Sequence, residues 1–404
     1  MNSLLRRLAS PVSHSRTSYL SSMTWFATWT LRSFAVPLTS ESGGKEEQVR
    51  RFSVIKKTRQ RAIYVGTAVI WVFYNVMFSF WFYKNIYNPK EAESPPIWDK
   101  VIAFFFLMKY ILVFGIHVCL LLRKRELLHV MRASFWMEPK CVSKGATGYT
   151  QIDILSNVDA SKFSLFAVPA MMGALGFFRP CMPPSIANTL LLECRDGWGD
   201  QDAELWLRII NGCFQGWVWF SVAAVIVTTI ILVLIYPAVM VELWIKVIEK
   251  QLDPDFGIHG LAAFRVAQVF QNLTNSVMRK PVINFFILLT ILGEVLSLYV
   301  IITCWENLSF GVAVFFYLMG IDFFVIIQIT LNSQSKSYVA SENFAKNMKR
   351  LKSQNPWIRK FLRSCPPLKV AAWLWRLAPV PLAVRGLWFD PSELVILGSL
   401  RGYQ

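Results

Sequence analysis

The sequence contains few acidic residues and few histidines. Its 404 residues include 25 Asp and Glu, against 42 Lys and Arg, and only four His. The His residues are dispersed and occur in no metal-binding spacing such as His-Glu-x-x-His, and the sequence lacks a phosphate-binding loop, a Gly-x-Ser-x-Gly motif and a dinucleotide-binding glycine motif. We therefore predict that the protein is not an enzyme and has no catalytic residue, metal site or cofactor.

Charged residues of either sign are also scarce. They make up 17% of the chain, whereas soluble domains contain about 25%. Hydrophobic residues make up 54%, and they occur in blocks of about 20, the length that crosses a bilayer as a helix. This pattern excludes a disordered chain and a typical soluble enzyme, and it predicts a lipid bilayer as the surrounding solvent.

Six apolar blocks are predicted to cross the membrane, which gives an all-α membrane protein built as a multi-span helical bundle. The blocks are residues 62–83, 101–122, 163–178, 209–236, 282–304 and 308–331. The segments on one side of these spans contain 33 Lys and Arg, and those on the other side contain 6. Because positive residues stay in the cytosol, we predict a plasma-membrane protein with a cytosolic N-terminus. A G-protein-coupled receptor has the opposite orientation.

The chain is predicted to divide into four parts. These are a basic cytosolic N-terminal tail (1–61), six transmembrane helices with a long cytosolic loop at 237–281 (62–331), a cytosolic helical or anchor segment (332–387), and the start of a seventh transmembrane helix that is cut short (388–404). Helical spacing of apolar residues predicts cytosolic helices over 237–252, 260–279 and 333–353. The net charge of +17 is read as a topology signal, so no nucleic-acid partner is expected.

Three charged residues lie inside predicted spans: Lys109, Glu294 and Asp322. Such residues are costly in hydrocarbon and face a cavity or a partner. Two interpretations remain open. In the first, Lys109 pairs with one of the two carboxylates and has a structural role. In the second, the charges belong to an ion or proton pathway, as in a secondary transporter that uses Glu294 or Asp322.

Two cysteines, Cys181 and Cys194, fall in a loop predicted to lie outside the cell. In that oxidising environment they can form a disulfide. Two free thiols are the alternative, and the sequence does not decide between them.

The end of the chain resembles the start of the last transmembrane helix of arthropod gustatory receptors. The resemblance is carried by Asp390-Pro391-Ser392, by the apolar run that contains Gly398, and by Tyr403. Gly402 stands where that family usually has Thr, and the Gln-Phe ending of the family is missing. Odorant receptors share the same plan with a weaker form of this ending.

The resemblance implies a chemosensory receptor subunit that acts as a ligand-gated, non-selective cation channel. Its partners would be a small-molecule tastant, the lipid bilayer, and other receptor subunits in a homo- or hetero-tetramer. The last helix would line the pore. The alternatives are a secondary transporter that uses membrane carboxylates, and an accessory or non-functional truncated receptor subunit.

The ligand pocket implied by this family lies between the earlier spans. Aromatic residues crowd the outer halves of these spans, where a membrane-interface belt explains the outermost ones and a pocket for a small organic molecule explains the deeper ones. Orientation and depth select four ligand-binding candidates: Phe105, Trp217, Tyr299 and Phe316.

Overall fold

The computed structural model describes most of the helical part of the chain. The described residues are 19–41, 51–84, 97–144, 152–182, 185, 204–250, 257–278, 282–307, 310–350, 360 and 368. All of them belong to one compact unit, residues 1–368, and a second unit comprises residues 369–404.

Helices dominate the described residues. The α-helices are α1 (Leu20–Arg32), α2 (Thr58–Phe82), α3 (Ile97–Leu122), α4 (Lys124–Ser143), α5 (Ile152–Phe178), α6 (Leu205–Val227), α7 (Tyr236–Lys250), α8 (Gly257–Met278), α9 (Val282–Thr303) and α10 (Phe310–Arg350). A π-helical stretch, Thr228–Ile235, joins α6 to α7, and a short 3-10 helix, Trp305–Asn307, follows α9. Strands β1 (Leu38–Glu41) and β2 (Arg51–Val54) form an antiparallel pair in which Leu38 lies opposite Val54.

In the described part of the chain, six helical segments are long and apolar enough to cross a membrane, which confirms the predicted fold class. They are Thr58–Phe82, Lys100–Leu122, Ser161–Phe178, Leu205–Lys250, Val282–Thr303 and Phe310–Met348. Helix α10 has 41 residues and is about 60 Å long, about twice the hydrocarbon thickness. The cytosolic helix predicted over 333–353 is therefore the continuation of the sixth span. The helices predicted over 237–252 and 260–279 are present as α7 and α8.

Helices α5 and α6 pack closely because glycines face each other at their crossing. A Cβ atom at Gly173 would lie 3.1 Å from the carbonyl oxygen of Gly212, and one at Gly212 would lie 2.9 Å from that of Gly173. Small residues of this kind allow helix backbones to approach in a membrane, where dispersion contacts hold helices together. This contact fixes the spacing of the two helices that enclose the candidate site.

The segment predicted as an N-terminal tail contains ordered structure. Helix α1 and the β1–β2 pair pack on the helices, with Phe26, Leu38 and Phe52 fully buried. The rings of Phe52 and Phe135 on α4 lie 4.9 Å apart between centroids. These elements and helix α4 were not predictable from the sequence, because their apolar runs are too short to stand out beside the spans. The membrane side of residues 1–61 stays a prediction.

A buried carboxylate holds the beginning of α1. Glu138 on α4 is 1% exposed, and it accepts hydrogen bonds from the backbone N–H groups of Tyr19 and Leu20 and from the Tyr236 hydroxyl. The first N–H groups of a helix have no partner within it and carry partial positive charge, so a carboxylate stabilises them. Burial and the nearby carboxylates of Glu242 and Glu138 raise the pKa of Tyr19.

Candidate functional site

The centre of the bundle contains a group of stacked and edge-on aromatic rings, here called the aromatic cluster. Its members are Phe105, Phe106 and Tyr110 on α3, Trp219 on α6, and Phe315, Phe316 and Phe323 on α10. Every one of them is buried. Most neighbouring pairs meet edge to face, the arrangement that the ring quadrupole favours. The cluster joins three helices from distant parts of the sequence.

Lys109 places its amine against this cluster. It follows Phe105 by about one helical turn, so the two side chains share a face of α3. Its Nζ lies 4.6 Å from the Trp219 ring centroid, 5.3 Å from that of Phe323 and 5.4 Å from that of Phe105. Met319 Sδ is 3.9 Å away. Cation–π contacts with three rings partly replace the water that the buried ammonium has lost.

A cavity of about 60 Å³ lies beside the amine, between α3, α5, α6, the π-helical stretch and α10. Lys109, Trp219 and Asp322 line it together with two serines of α5, and the remaining lining is mostly aliphatic. A water molecule needs about 10–15 Å³ measured in this way, so the cavity has room for about four to six water-sized groups.

Asp322 brings the opposite charge to the same cavity. It lies on α10, and its Oδ1 accepts a hydrogen bond of 3.0 Å from Ser164 Oγ on α5. Lys109 and Asp322 therefore line one cavity, and their pairing stays a prediction. Glu294 on α9 does not line this cavity, and its Oε2 is buried without a hydrogen-bond partner.

The four predicted ligand-binding residues fall into two groups. Phe105 and Phe316 are buried in the aromatic cluster with ring centroids 5.2 Å apart. Trp217 and Tyr299 are 36% and 39% exposed on the outside of the chain. The structure thus brings the first two together near the cavity and leaves the other two away from it. A ligand contact by any of the four stays a prediction.

The π-helical stretch forms one wall of the cavity through Ile230 and Ile231. Pro237 lies two residues after its end, following Tyr236. Proline has no N–H, and in a regular α-helix its ring collides with the carbonyl four residues earlier. The wider turn avoids this collision. Gln334 on α10 donates a hydrogen bond of 2.9 Å from Nε2 to the Leu234 carbonyl within the stretch. The π-helical wall of the cavity is therefore joined to α10 at Gln334, which lies further along that helix than Asp322.

Sequence reasoning missed Trp219, Ser164 and Met319. Helical spacing offered a signal for two of them. Met319 precedes Asp322 by one turn and so shares its face of α10, and Trp219 lies on the opposite face of α6 from Trp217. Ser164 carries no such signal, because a single hydroxyl in a span is common.

Several other predicted features lie wholly or partly outside the described residues. Cys181 is disulfide-bonded in the structure, but Cys194 is not among the described residues, so their pairing stays a prediction. The motif residues Asp390, Pro391, Ser392, Gly398 and Tyr403 also lie outside them. Within the described residues, no group of three or more His, Cys, Asp or Glu side chains is placed to hold a metal ion.

These observations define a multi-span helical membrane protein with a small cavity lined by one positive and one negative side chain. No protein-family model matches the chain, and no curated protein matches it in sequence. Among solved structures, it is similar to the insect olfactory receptor OR5 from Machilis hrabei, with 10% identity and a TM-score of 0.55. The match covers 91% of this chain and 97% of that receptor. The chain therefore has an insect chemoreceptor-type fold. The gustatory subclass stays a prediction.

Proposed function

We propose that the protein is a chemosensory receptor subunit of gustatory type, which forms a ligand-gated, non-selective cation channel with three further subunits in the plasma membrane. The observation that carries this proposal is the cavity between α3, α5, α6 and α10, which lies in a chemoreceptor-type fold. The cavity takes a small molecule, and its walls come from four helices that a bound molecule contacts at once. The C-terminal motif supports the gustatory subclass.

Helix α10 offers a path from the cavity to the distal half of the bundle. Asp322 lines the cavity, and Gln334, which bonds the π-helical stretch, lies about 18 Å further along the same continuous helix. A ligand that favours one position of Asp322 therefore biases the position of the whole helix. Binding opens a channel only if the ligand has different affinities for the closed and open arrangements.

The test is to express the chain in cells and to record membrane currents during application of a library of small molecules. A cation current evoked by at least one compound is expected. In the Asp322→Asn variant, the half-maximal concentration should rise roughly 10- to 100-fold, since hydrogen bonds to a charged group contribute about 1.5–3 kcal/mol. The matched control is Glu294→Gln, which also neutralises a membrane carboxyl but lies outside the cavity. Absence of both evoked current and compound binding would refute the proposal, whereas binding without current indicates an accessory subunit.

A secondary transporter is the second candidate function. It is favoured by Glu294, whose Oε2 is buried in a membrane helix without a hydrogen-bond partner, as is typical of carboxyls that relay protons. A transporter predicts ion-coupled uptake of a labelled substrate that is lost in Glu294→Gln. A receptor channel predicts that the same variant keeps its evoked current, so the two functions give opposite results with one protein.

A further inference from the structure

The cavity contains one positive and one negative side chain that are held by separate partners. In the described part of the chain, Lys109 Nζ contacts three ring faces and the Met319 sulfur, and Asp322 Oδ1 accepts from Ser164. No ion pair of 4.0 Å or less joins Lys109 to Asp322 among these residues. Both charged side chains line the cavity, and the contacts that each of them makes are to uncharged groups.

The surroundings of these two charges are mostly apolar. Aliphatic residues line most of the remaining cavity surface, namely Leu165, Val168, Val222, Ile226, Ile230 and Ile231. A charge in such surroundings depends on its neighbours for the stabilisation that water no longer provides. Whatever fills the cavity must therefore compensate both charges or leave at least one of them poorly solvated.

This requirement separates the classes of small molecule. A neutral apolar compound would displace water from both charges and return nothing to them. An anion would satisfy Lys109 but face the Asp322 carboxylate, and a cation would satisfy Asp322 but face the Lys109 amine. Like charges brought together in a site of low dielectric repel strongly. A molecule that carries both charges at short separation avoids each of these costs.

From this we infer that the ligand is a small zwitterion, of the class of free amino acids with a short aliphatic side chain, because the cavity of about 60 Å³ has room for only a few water-sized groups. Its carboxylate accepts hydrogen bonds from Lys109, and its ammonium donates to the Asp322 oxygens. Its side chain lies along Val222, Ile226 and Ile230. Ser164 holds the Asp322 carboxylate in place from α5. This inference rests on the proposed function, because it takes the cavity to be the receptor's ligand site.

Four probes that share one short carbon skeleton test the inference on the purified full chain in lipid nanodiscs. L-Alanine carries both charges, ethylamine only the positive one, propanoate only the negative one, and ethanol neither. Binding is measured by calorimetry and by the shift in unfolding temperature. We expect alanine to bind at least tenfold more tightly than each of the other three.

Variants then assign each charge to its partner. Lys109→Met should weaken alanine binding at least tenfold and leave ethylamine binding unchanged or tighter. Asp322→Asn should weaken alanine binding similarly and favour propanoate. The matched controls are Lys162→Met, which removes a lysine of α5 that contacts Trp25 and Ser22 outside the cavity, and Glu294→Gln. Because the wild-type ranking of the four probes needs no variant, the inference stays testable even where a variant fails to fold.

Two results would overturn the inference. If ethanol binds as tightly as alanine, and Lys109→Met leaves this binding unchanged, the cavity holds neutral molecules and the proposed receptor function stands without the zwitterion. If none of the four probes binds, the ligand class is wrong. The receptor function is then decided separately, by currents evoked with the wider compound library.

Discussion

A methyl group added at Gly212 is expected to push helices α5 and α6 apart and to destabilise the protein. A Cβ atom there would lie 2.9 Å from the Gly173 carbonyl oxygen and 3.1 Å from Phe177 Cβ. The nearer atom belongs to the backbone of a helix, so it does not rotate away as a flexible side chain does, and α5 itself has to move. Overpacking of this kind costs about 1–3 kcal/mol.

The chain provides a matched control for this substitution. Gly66 lies on α2, where no neighbouring group outside its own helix lies within 4 Å of an added Cβ. Gly66→Ala therefore acts through helix propensity alone, which favours Ala by about 1 kcal/mol. Gly212→Ala has the same favourable contribution, so the difference in stability between the two variants isolates the clash. We expect Gly212→Ala to be the less stable of the two by about 1–3 kcal/mol.

The assay is denaturant-induced unfolding of both purified variants in the same detergent, followed by helical circular dichroism. The packing argument is refuted if Gly212→Ala proves as stable as Gly66→Ala. A second readout uses the cavity, which lies between the same two helices. Wider spacing of α5 and α6 should separate Ser164 from Trp219 across the cavity and weaken the binding of any ligand that contacts both.

Three further predictions concern other parts of the described structure. Gly293→Ala should reduce ligand binding at least tenfold, because an added Cβ would lie 2.4 Å from the Phe323 ring, which contacts the Lys109 amine. Binding equal to that of the wild type in calorimetry would contradict this prediction. Glu138→Gln should lower the free energy of unfolding by about 1.5–3 kcal/mol, since it replaces charge-assisted hydrogen bonds to the start of α1 with neutral ones. An unchanged unfolding curve would show that the carboxylate is dispensable. Burial raises the pKa of the Cys141 thiol to about 12, so its reactive thiolate is scarce below that pH. Maleimide labelling of Cys141 in the folded protein, followed by mass spectrometry, should therefore stay slow at neutral and mildly alkaline pH. Fast labelling under these conditions would be inconsistent with the buried position.

The fold class was predictable because hydrocarbon imposes a length and a composition on every helix that crosses it. Lys109 and Asp322 were also identifiable, since a charge in a long apolar run has few roles other than facing a cavity or a partner. The rotation of each helix was not predictable from depth alone. Trp217 and Trp219 lie at nearly the same depth, but they are two residues apart and point in almost opposite directions. The ligand candidates were chosen by depth, and only some of them face inward for this reason.

The N-terminal elements illustrate a second limit of sequence reasoning. Helix α1 is stabilised by Glu138, which is over a hundred residues later in the chain. The sequence around α1 does not indicate that Glu138 binds there, and the sequence around Glu138 does not indicate α1, because a single buried carboxylate has no periodic signature. Contacts of this type are set by tertiary structure, and they are visible only when the distant segments are placed side by side.

The aromatic surroundings of Lys109 have a consequence for how the protein is made. Phe105 emerges from the ribosome with the lysine, whereas Trp219 and Phe323 follow roughly 110 and 210 residues later. Protein synthesis adds about 5–20 residues per second, so Phe323 is made about 10–40 s after α3. During that time its amine lies in or near lipid without the partners that later stabilise it. Successful biogenesis therefore depends on the strong hydropathy of the rest of α3, or on a chaperone that shelters this helix until α10 arrives.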